Sequence, residues 1–379
     1  MTNAGDARAA SRSLPEFPWD RLAPYKERAA AHGMIDLSIG TPVDDTPQIV
    51  QDALRAAANA PGYPTVWGTP ELRAAAAGWM RRRLGVEISP EAVLPTIGSK
   101  ELVAMLPFQL GLGARDVVAI PAIAYPTYDV GARLAGASVV LADGLDELEE
   151  QRRRVEATGR QLAMVWLNSP ANPTGVVHPA DALAEIVAWG RDHGILIVND
   201  ECYIELGWDA SPVSILHPSI CGTGSDAHRG LLAVHSLSKR SNLAGYRAGF
   251  VAGDPAVVRQ LLEIRKHSGF MVPMPVQAAM VAAYNDDAHV ETQRAVYAAR
   301  RTSLRTALEA VGFRIDQSQA GLYLWATRDE DSWATVGWLA DRGILAAPGA
   351  FYGNAGARHV RLALTGSDSD IAAAVERLA

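Results

Sequence analysis

The chain has 379 residues, of which 49% are hydrophobic and 20% are charged, and its formal net charge is −7. This length is typical of two domains, the hydrophobic fraction excludes general disorder, and the negative net charge argues against binding to nucleic acid. No apolar run approaches the roughly 18 residues of a membrane-spanning helix. The first residues lack the apolar core of a secretory signal, and two cysteines are too few for a disulfide scaffold. We therefore expect a cytoplasmic protein that binds neither membranes nor nucleic acid.

Strand-like and helix-like segments alternate through the middle of the chain. A tail over residues 1–13 and a proline-rich segment over 14–47 come first, and the latter contains a short strand-like piece at 35–39. Apolar runs typical of strands in a parallel sheet lie at 92–97, 116–120, 162–167, 195–198 and 231–234. Helical patterns accompany them at 99–110, 145–156 and 181–191. This alternation predicts an α/β domain over residues 48–270.

The pattern changes beyond residue 270. A long helical stretch at 288–311 precedes short strand-like pieces at 321–327 and 360–365. We predict a smaller α+β domain over residues 271–379, packed together with the N-terminal segment 14–47.

Several common catalytic motifs are absent from the sequence. There is no G-x-x-x-x-G-K-[ST] phosphate loop, no G-x-S-x-G elbow and no H-E-x-x-H zinc motif. Gly111 and Gly113 follow a helical pattern rather than a strand, so they do not indicate a dinucleotide-binding fold. The nine histidines lack metal-ligand spacing, and we expect no metal site.

Three polar clusters each follow an apolar strand. The first runs from Asn168 to Gly175 and contains Asn172, the second places Asp200 and Tyr203 after a strand, and the third runs from His235 to Lys239. Each cluster alone is also compatible with a turn or a helix cap. Together they supply a lysine, a carboxylate and phosphate-binding groups at one edge of a sheet, where α/β proteins bind ligands.

This combination of groups suits pyridoxal 5′-phosphate (PLP). A lysine amine forms a Schiff base with the cofactor aldehyde, and a carboxylate keeps the pyridine nitrogen protonated. The phosphate favours a helix N-terminus, hydroxyl groups and a guanidinium. Ser99 and Lys100 lie at a predicted helix start, and Arg247 follows Lys239 by eight residues.

In order and spacing, these motifs resemble those of fold-type I PLP-dependent aminotransferases of class I/II, over about residues 35–375. The resemblance implies a large domain with a mostly parallel seven-stranded sheet between helices and a smaller α+β domain. Three segments are most similar to actinobacterial-type N-succinyldiaminopimelate aminotransferases: residues 14–20, 38–43 and 62–73.

The resemblance also implies roles for individual residues. Lys239 would carry the cofactor and move the proton, Asp200 would pair with the ring nitrogen, and Asn172 and Tyr203 would bind the ring hydroxyl. Tyr125 would stack on the ring. The phosphate would be bound by Ser99, Lys100, Ser236, Ser238 and Arg247, with Lys100 at a position where the family has a small residue.

Two further sites follow from the same resemblance. Arg361, helped by the backbone of Gly40, would bind the α-carboxylate of the substrate. Tyr63 would reach the phosphate in a neighbouring subunit, which implies a homodimer with shared active sites.

The implied reaction moves an amino group between glutamate and a 2-oxo acid. The finer resemblance implies N-succinyl-L,L-2,6-diaminopimelate and 2-oxoglutarate as substrates, in lysine and diaminopimelate biosynthesis. Alternatives are aminotransferases for aromatic, aspartate-like or kynurenine substrates, a PLP-dependent C–S β-lyase and, more remotely, a non-catalytic regulator on this fold. A distal carboxylate has five unranked candidate cations: Arg21, Lys26, Arg28, Arg133 and Lys266. Aromatic substrates would instead favour a pocket lined by Phe17, Trp67 and Tyr323.

Overall fold

The computed structural model describes residues 14–379, and the predicted tail over residues 1–13 lies outside them. The strands of the described part are β1 (Ile35–Asp36), β2 (Val93–Ile97), β3 (Asp116–Ile120), β4 (Ser138–Leu141), β5 (Gln161–Asn168), β6 (Leu196–Asp200), β7 (Leu231–Ser236), β8 (Ala248–Gly253), β9 (Arg314–Asp316), β10 (Tyr323–Thr327), β11 (Ile344–Leu345), β12 (Ala347–Pro348) and β13 (Val360–Ala363). Its α-helices are α1 (Ala23–Ala30), α2 (Gln48–Ala56), α3 (Pro70–Leu84), α4 (Gly98–Gln109), α5 (Thr127–Ala135), α6 (Leu145–Glu156), α7 (Ala180–His193), α8 (Pro218–Cys221), α9 (Leu237–Arg240), α10 (Pro255–Ser268), α11 (Met274–Asn285), α12 (Ala288–Ala310), α13 (Ser332–Ala340) and α14 (Asp368–Leu378).

A seven-stranded sheet in the order β2-β8-β7-β6-β5-β3-β4 forms the centre of the fold. Strand β8 is antiparallel to both of its neighbours, and the other pairs are parallel. Alternate residues of β5 enter different cores: Val165 and Leu167 pack on one face, and Met164 and Trp166 on the other. The strands are apolar throughout because helices cover both faces of the sheet. The predicted α/β architecture is confirmed.

A second, antiparallel sheet in the order β12-β13-β10-β9 lies in the C-terminal part of the chain. Its core also contains Leu22, Ile35 and Leu37 of the N-terminal segment. Strand β1 pairs in parallel with β11, which attaches this segment to the C-terminal part. The boundary at residue 270 stays a prediction. Helix α11, which follows that boundary, packs against α2 and α3 of the larger unit.

The three central strands β5, β6 and β7 end side by side. Asn168 at the end of β5 is in register with Asp200 at the end of β6, and Asp200 is in register with Val234 of β7. The topology therefore brings the three polar clusters of the sequence to one edge of the sheet. Within residues 14–379, no helix is long and apolar enough to cross a membrane.

Candidate active site

The loop after β5 is attached to the end of β6 by the side chain of Asn168. Its Nδ2 donates to the carbonyl of Asp200 at 2.9 Å, and its Oδ1 accepts from the backbone N–H of Asn172 at 2.7 Å. The bonds Ser169-Pro170 and Asn172-Pro173 are both cis. These contacts connect Asn172 to the end of β6 through the side chain of Asn168.

The Asp200 carboxylate is buried and has two hydrogen-bond donors. Its Oδ2 accepts from the hydroxyl of Tyr128 at 3.0 Å, and its Oδ1 accepts from the backbone N–H of Cys202 at 3.1 Å. Burial raises the pKa of Asp200, whereas these donors favour the ionised form and lower it. A cation beside the carboxylate, such as a protonated pyridine nitrogen, would favour the ionised form further.

Lys239 lies in the short helix α9, directly after β7. Ser236 caps this helix because its Oγ accepts from the backbone N–H of Ser238 at 3.1 Å. The Nζ of Lys239 donates to the carbonyl of Gly40. Burial lowers the pKa of Lys239, and the positive charges of Arg361 and Arg247 lower it further. This environment favours the unprotonated, nucleophilic amine.

The N-terminus of α4 and the guanidinium of Arg247 lie together. Gly98, the first residue of α4, has φ +69°, and a Cβ at this position would overlap the Arg247 guanidinium. Nη1 of Arg247 is held by the Ala244 carbonyl at 2.8 Å. Ser99 follows in the first turn of α4, where backbone N–H groups lack helical partners. This arrangement fits a phosphate group.

Arg361 is buried on β13 and has two oriented partners. Its Nη1 donates to Oδ1 of Asn172 at 2.9 Å and its Nη2 donates to the Ser38 carbonyl at 2.6 Å, while its Nε has no partner within residues 14–379. Its guanidinium carbon lies 4.0 Å from the centre of the Tyr323 ring. The arginine that was predicted to bind carboxylate therefore lies beside the predicted cofactor residue Asn172.

Tyr323 connects several of these groups. Its hydroxyl lies 3.0 Å from the hydroxyl of Tyr203, and a Cβ at Gly40 would overlap it. Burial raises the pKa of a tyrosine, but here the positive charge of Arg361, the protonated form of Lys239 and the hydrogen bond with Tyr203 outweigh that effect and lower the pKa of Tyr323. The sequence suggested Tyr323 only as part of an aromatic pocket.

Two predicted aromatic residues differ in their surroundings. Tyr125 packs edge-on against Tyr128 at 5.9 Å between ring centres, and burial raises its pKa to about 12. Tyr63 is 97% exposed, so the fold does not bring it into the site of its own chain.

Tyr128 is a site residue that sequence reasoning missed. It follows Tyr125 by three residues and lies in the first turn of helix α5, which begins at Thr127. That spacing was the available signal, but it does not show that the hydroxyl reaches Asp200.

Most of the cations considered for a distal carboxylate have other partners. Arg28, Arg133 and Lys266 form ion pairs with Asp341, Asp129 and Glu263, respectively. Arg21 lies over the ring of Trp333, with 4.9 Å between its guanidinium carbon and the ring centre. Lys100, which was predicted to bind the phosphate, is exposed, and its Nζ lies 5.7 Å from the centre of the Phe17 ring.

The residues present fit PLP better than a metal. A buried amine, a buried carboxylate and a helix start with a guanidinium match the aldehyde, ring nitrogen and phosphate of the cofactor. Within residues 14–379, no group of three His, Cys, Asp or Glu side chains could hold a metal ion.

Comparison with known proteins agrees with this chemistry. The family profile for aminotransferase class I and II matches residues 32–378. The 4-dedimethylamino-4-oxo-anhydrotetracycline transaminase OxyQ of Streptomyces rimosus is 60% identical over 369 residues, covering 97% of this chain and 99% of the relative. An LL-diaminopimelate aminotransferase of Dehalococcoides mccartyi is 32% identical and covers 93% and 92%.

A solved structure shows the same fold. An aminotransferase from Neisseria meningitidis superposes with a TM-score of 0.87 at 29% identity, covering 96% of this chain and 97% of that one. The chain belongs to the aminotransferase class I and II family and is a PLP-dependent aminotransferase.

Proposed function

We propose that this site transfers an amino group from glutamate to the carbonyl group of a second substrate, with Lys239 moving the proton. The observation that carries the proposal is the convergence of the Lys239 amine, the Asp200 carboxylate and the Arg361 guanidinium at one edge of the sheet. PLP supplies the electron sink for this chemistry when it is bound. The chain supplies binding, orientation and proton transfer.

Each predicted residue has a proposed task in this reaction. Asp200 keeps the ring nitrogen protonated, and Asn172 and Tyr203 bind the ring hydroxyl. Tyr125 covers the ring. The phosphate is held by Ser99, Lys100, Ser236, Ser238 and Arg247.

Arg361 and Gly40 orient the substrate carboxylate. A guanidinium with two fixed partners loses little freedom when it binds a carboxylate in a bidentate manner. Nη1 and Nη2 of Arg361 already have partners at 2.9 and 2.6 Å, so the guanidinium is held before any substrate arrives. The influence of the Arg361 charge on Lys239 supports a substrate position in which the α-carbon lies near the Lys239 amine.

We propose N-succinyl-L,L-2,6-diaminopimelate as the amino compound that is formed when the second substrate is aminated. In the reverse direction, the same compound is the amino donor. The three segments similar to succinyldiaminopimelate aminotransferases support this substrate, and so does the diaminopimelate named for the Dehalococcoides relative.

A large ring ketone is the second candidate substrate. The tetracycline transaminase OxyQ is 60% identical to this chain, and the ring of Trp19 lies 6.0 Å from the guanidinium carbon of Arg361. Phe17 is 53% exposed, and its ring centre lies 5.6 Å from that of Trp19. Such rings favour flat, apolar substrates.

The experiment that tests the proposal follows the visible absorbance of the PLP-loaded protein in single turnovers. Glutamate is expected to discharge this absorbance and to release 2-oxoglutarate, and N-succinyl-L,L-2,6-diaminopimelate is expected to discharge it as well. A response to glutamate alone would reject the succinylated substrate. A Lys239→Ala variant that still turned over at the rate of the unchanged protein would reject the assignment of the lysine.

A further inference from the structure

Four buried charged or titratable side chains lie behind the proposed cofactor residues. This buried cluster consists of Glu201, Glu205, His235 and Arg240, and none of its side chains is more than 4% exposed. Nothing in the proposed reaction uses these groups. Uncompensated buried charge is costly, so the members of this cluster need partners within the protein.

Each member of the buried cluster is a close neighbour in sequence of a proposed site residue. Glu201 follows Asp200 and Arg240 follows Lys239, while His235 precedes Ser236 and Glu205 lies two residues after Tyr203. Only one or two peptide units therefore separate each cluster residue from a residue of the site.

Arg240 is held from several directions. Its guanidinium forms an ion pair with Glu205 and donates from Nη1 to the Ala283 carbonyl at 3.3 Å. It also lies 5.3 Å from the ring centre of Trp79 and 5.6 Å from that of Tyr284, distances at which a cation is attracted to an aromatic ring.

The Glu205 carboxylate has two further donors. Trp79 donates from Nε1 to Oε2 at 3.2 Å, and Arg83 donates from Nε to Oε1 at 2.9 Å. The Glu205–Arg240 pair thus joins the loop that carries Tyr203 to the helix that carries Lys239.

Glu201 and His235 form the second half of the buried cluster. Oε1 of Glu201 accepts from Nδ2 of Asn199 at 3.0 Å and from the backbone N–H of Ile215 at 2.7 Å. Its Oε2 lies 3.5 Å from Nε2 of His235. Burial raises the pKa of Glu201 to about 7 and lowers that of His235 to about 3, so His235 is neutral at neutral pH.

A small cavity of about 10 Å³ lies between the two halves. Several atoms on its walls have no hydrogen-bond partner among the described residues: Oε2 of Glu201, Nε2 of His235, Nη2 of Arg240 and the hydroxyl of Tyr284. A cavity of this size takes one water molecule, and a buried water needs two to four polar partners. These walls supply them.

We propose that the buried cluster, bridged by one internal water, fixes Lys239 relative to Tyr203 and Asp200, and that Glu205 and Arg240 are positioning residues of the reaction. This inference rests on the proposed role of Lys239. The Glu205–Arg240 ion pair fixes these positions because aromatic rings and hydrogen bonds hold it against displacement. A misplacement of about 1 Å in an active site can cost roughly 100-fold in rate.

The main test is the double variant E205Q/R240Q, which keeps the side-chain shapes similar and leaves no buried charge unpaired within the pair. We expect kcat to fall about 10- to 100-fold while the KM values change less than twofold, because substrate contacts are untouched. We also expect a shift of at least about half a unit in the pH at which the visible absorbance of the PLP-loaded protein titrates. The reason is that the double variant changes the surroundings of Lys239.

A milder variant keeps the test decisive if the double variant does not fold. Trp79→Phe retains an aromatic ring and removes the N–H that donates to Glu205. It is expected to move kcat and the titration in the same direction by a smaller amount. The matched control is E149Q/R152Q, which removes an ion pair on helix α6 and is expected to leave both readouts unchanged.

The outcomes separate this inference from the proposed function. Folded E205Q/R240Q or Trp79→Phe protein with unchanged kcat and an unchanged titration would overturn the positioning role. A crystal structure of the protein with an empty cavity would overturn the internal water. A Lys239→Ala variant that kept the visible absorbance would instead overturn the role of Lys239 in the proposed function.

Discussion

At the scale of single residues, the hydrogen bond from Tyr128 to Asp200 favours the ionised form of the carboxylate. The phenol donates at 3.0 Å to a buried carboxylate whose pKa burial already raises. A donor to the charged form lowers the pKa of a carboxylic acid. Tyr128 therefore acts with Cys202 against the effect of burial and favours the ionised Asp200 that the proposed pairing with a ring nitrogen requires.

Tyr128→Phe should move the acidic limb of the pH profile. Without the donor, the pKa of Asp200 rises, so activity is lost at a higher pH as the solution is acidified. A hydrogen bond of about 1 kcal/mol corresponds to a shift of the acidic limb by roughly 0.7 pH unit. The measurement is kcat against pH for the PLP-loaded protein.

The control for this substitution is Tyr25→Phe. Tyr25 stacks on Trp333 at 5.4 Å between ring centres, away from Asp200, and its substitution should leave the pH profile unchanged. An acidic limb that stays in place in folded Tyr128→Phe protein would contradict the role assigned to the phenol.

At the scale of elements, helix α4 has a glycine with positive φ near each end. Gly98 has φ +69° and would overlap Arg247 if it carried a Cβ, whereas Gly111 has φ +76° and has no heavy atom within 4 Å of a Cβ position. Replacement of either residue imposes similar backbone strain, about 1 kcal/mol. Only the replacement of Gly98 also displaces the guanidinium.

Gly98→Ala should therefore weaken PLP binding, and Gly111→Ala should not. We expect the dissociation constant of PLP, measured by titration of the apoprotein, to rise about tenfold in Gly98→Ala, which corresponds to one lost charge-assisted hydrogen bond. Both variants should unfold at similarly reduced temperatures. Equal PLP affinity in the two variants would show that Arg247 is not part of the phosphate site.

A continuous apolar run, as in β3, and an amphipathic helical pattern, as in α6, were predicted well from the sequence. The bounds of β3 and α6 coincide with the predicted ranges 116–120 and 145–156. Strands β4 and β8 were not predicted. Strand β4 lies at the sheet edge and is only partly buried, and β8 contains small residues.

Strand β8 is buried because of its neighbours rather than its own side chains. A Cβ at Gly249 would lie 2.8 Å from the carbonyl of His235, so this backbone approaches β7 closely. Close packing of this kind leaves no periodic apolar signal in a sequence. The sequence likewise carried no signal for the contacts of Tyr128 and Tyr323, because these contacts join distant parts of the chain.

At the scale of the whole molecule, the exposure of Tyr63 bears on the predicted homodimer. Its side chain is 97% exposed, although the resemblance assigns it to a phosphate site. Both observations agree if the phosphate belongs to another copy of this chain. We propose a homodimer in which each active site takes Tyr63 from the partner.

Mixing two inactive variants tests this arrangement. In a mixed dimer of Tyr63→Ala and Lys239→Ala subunits, one of the two sites has both residues intact. If subunits exchange at random, half of the dimers are mixed, and the activity should recover to roughly a quarter of that of the unchanged protein. Neither variant alone should reach this level.

Recovery must depend on subunit exchange. The mixture should recover activity after the two variants are refolded together. Its activity should be low when it is assayed immediately after the folded variants are mixed. A mixture that stays at the summed activity of the two variants after joint refolding would show that Tyr63 acts within its own chain or not at all.

The pairing of β1 with β11 affects the order in which the two sides of the active site form during synthesis. Ile35 pairs with Ile344, so residues roughly 300 positions apart meet, and contacts of this separation form late in folding. Ser38 and Gly40 lie just beyond β1 and contact Arg361 and Lys239. The groups that surround the phosphate come from residues 98–247, so a growing chain completes the cofactor side of the site long before the substrate side. A chain that stopped before residue 344 would lack both β11 and Arg361, and it would have no means of holding a substrate carboxylate.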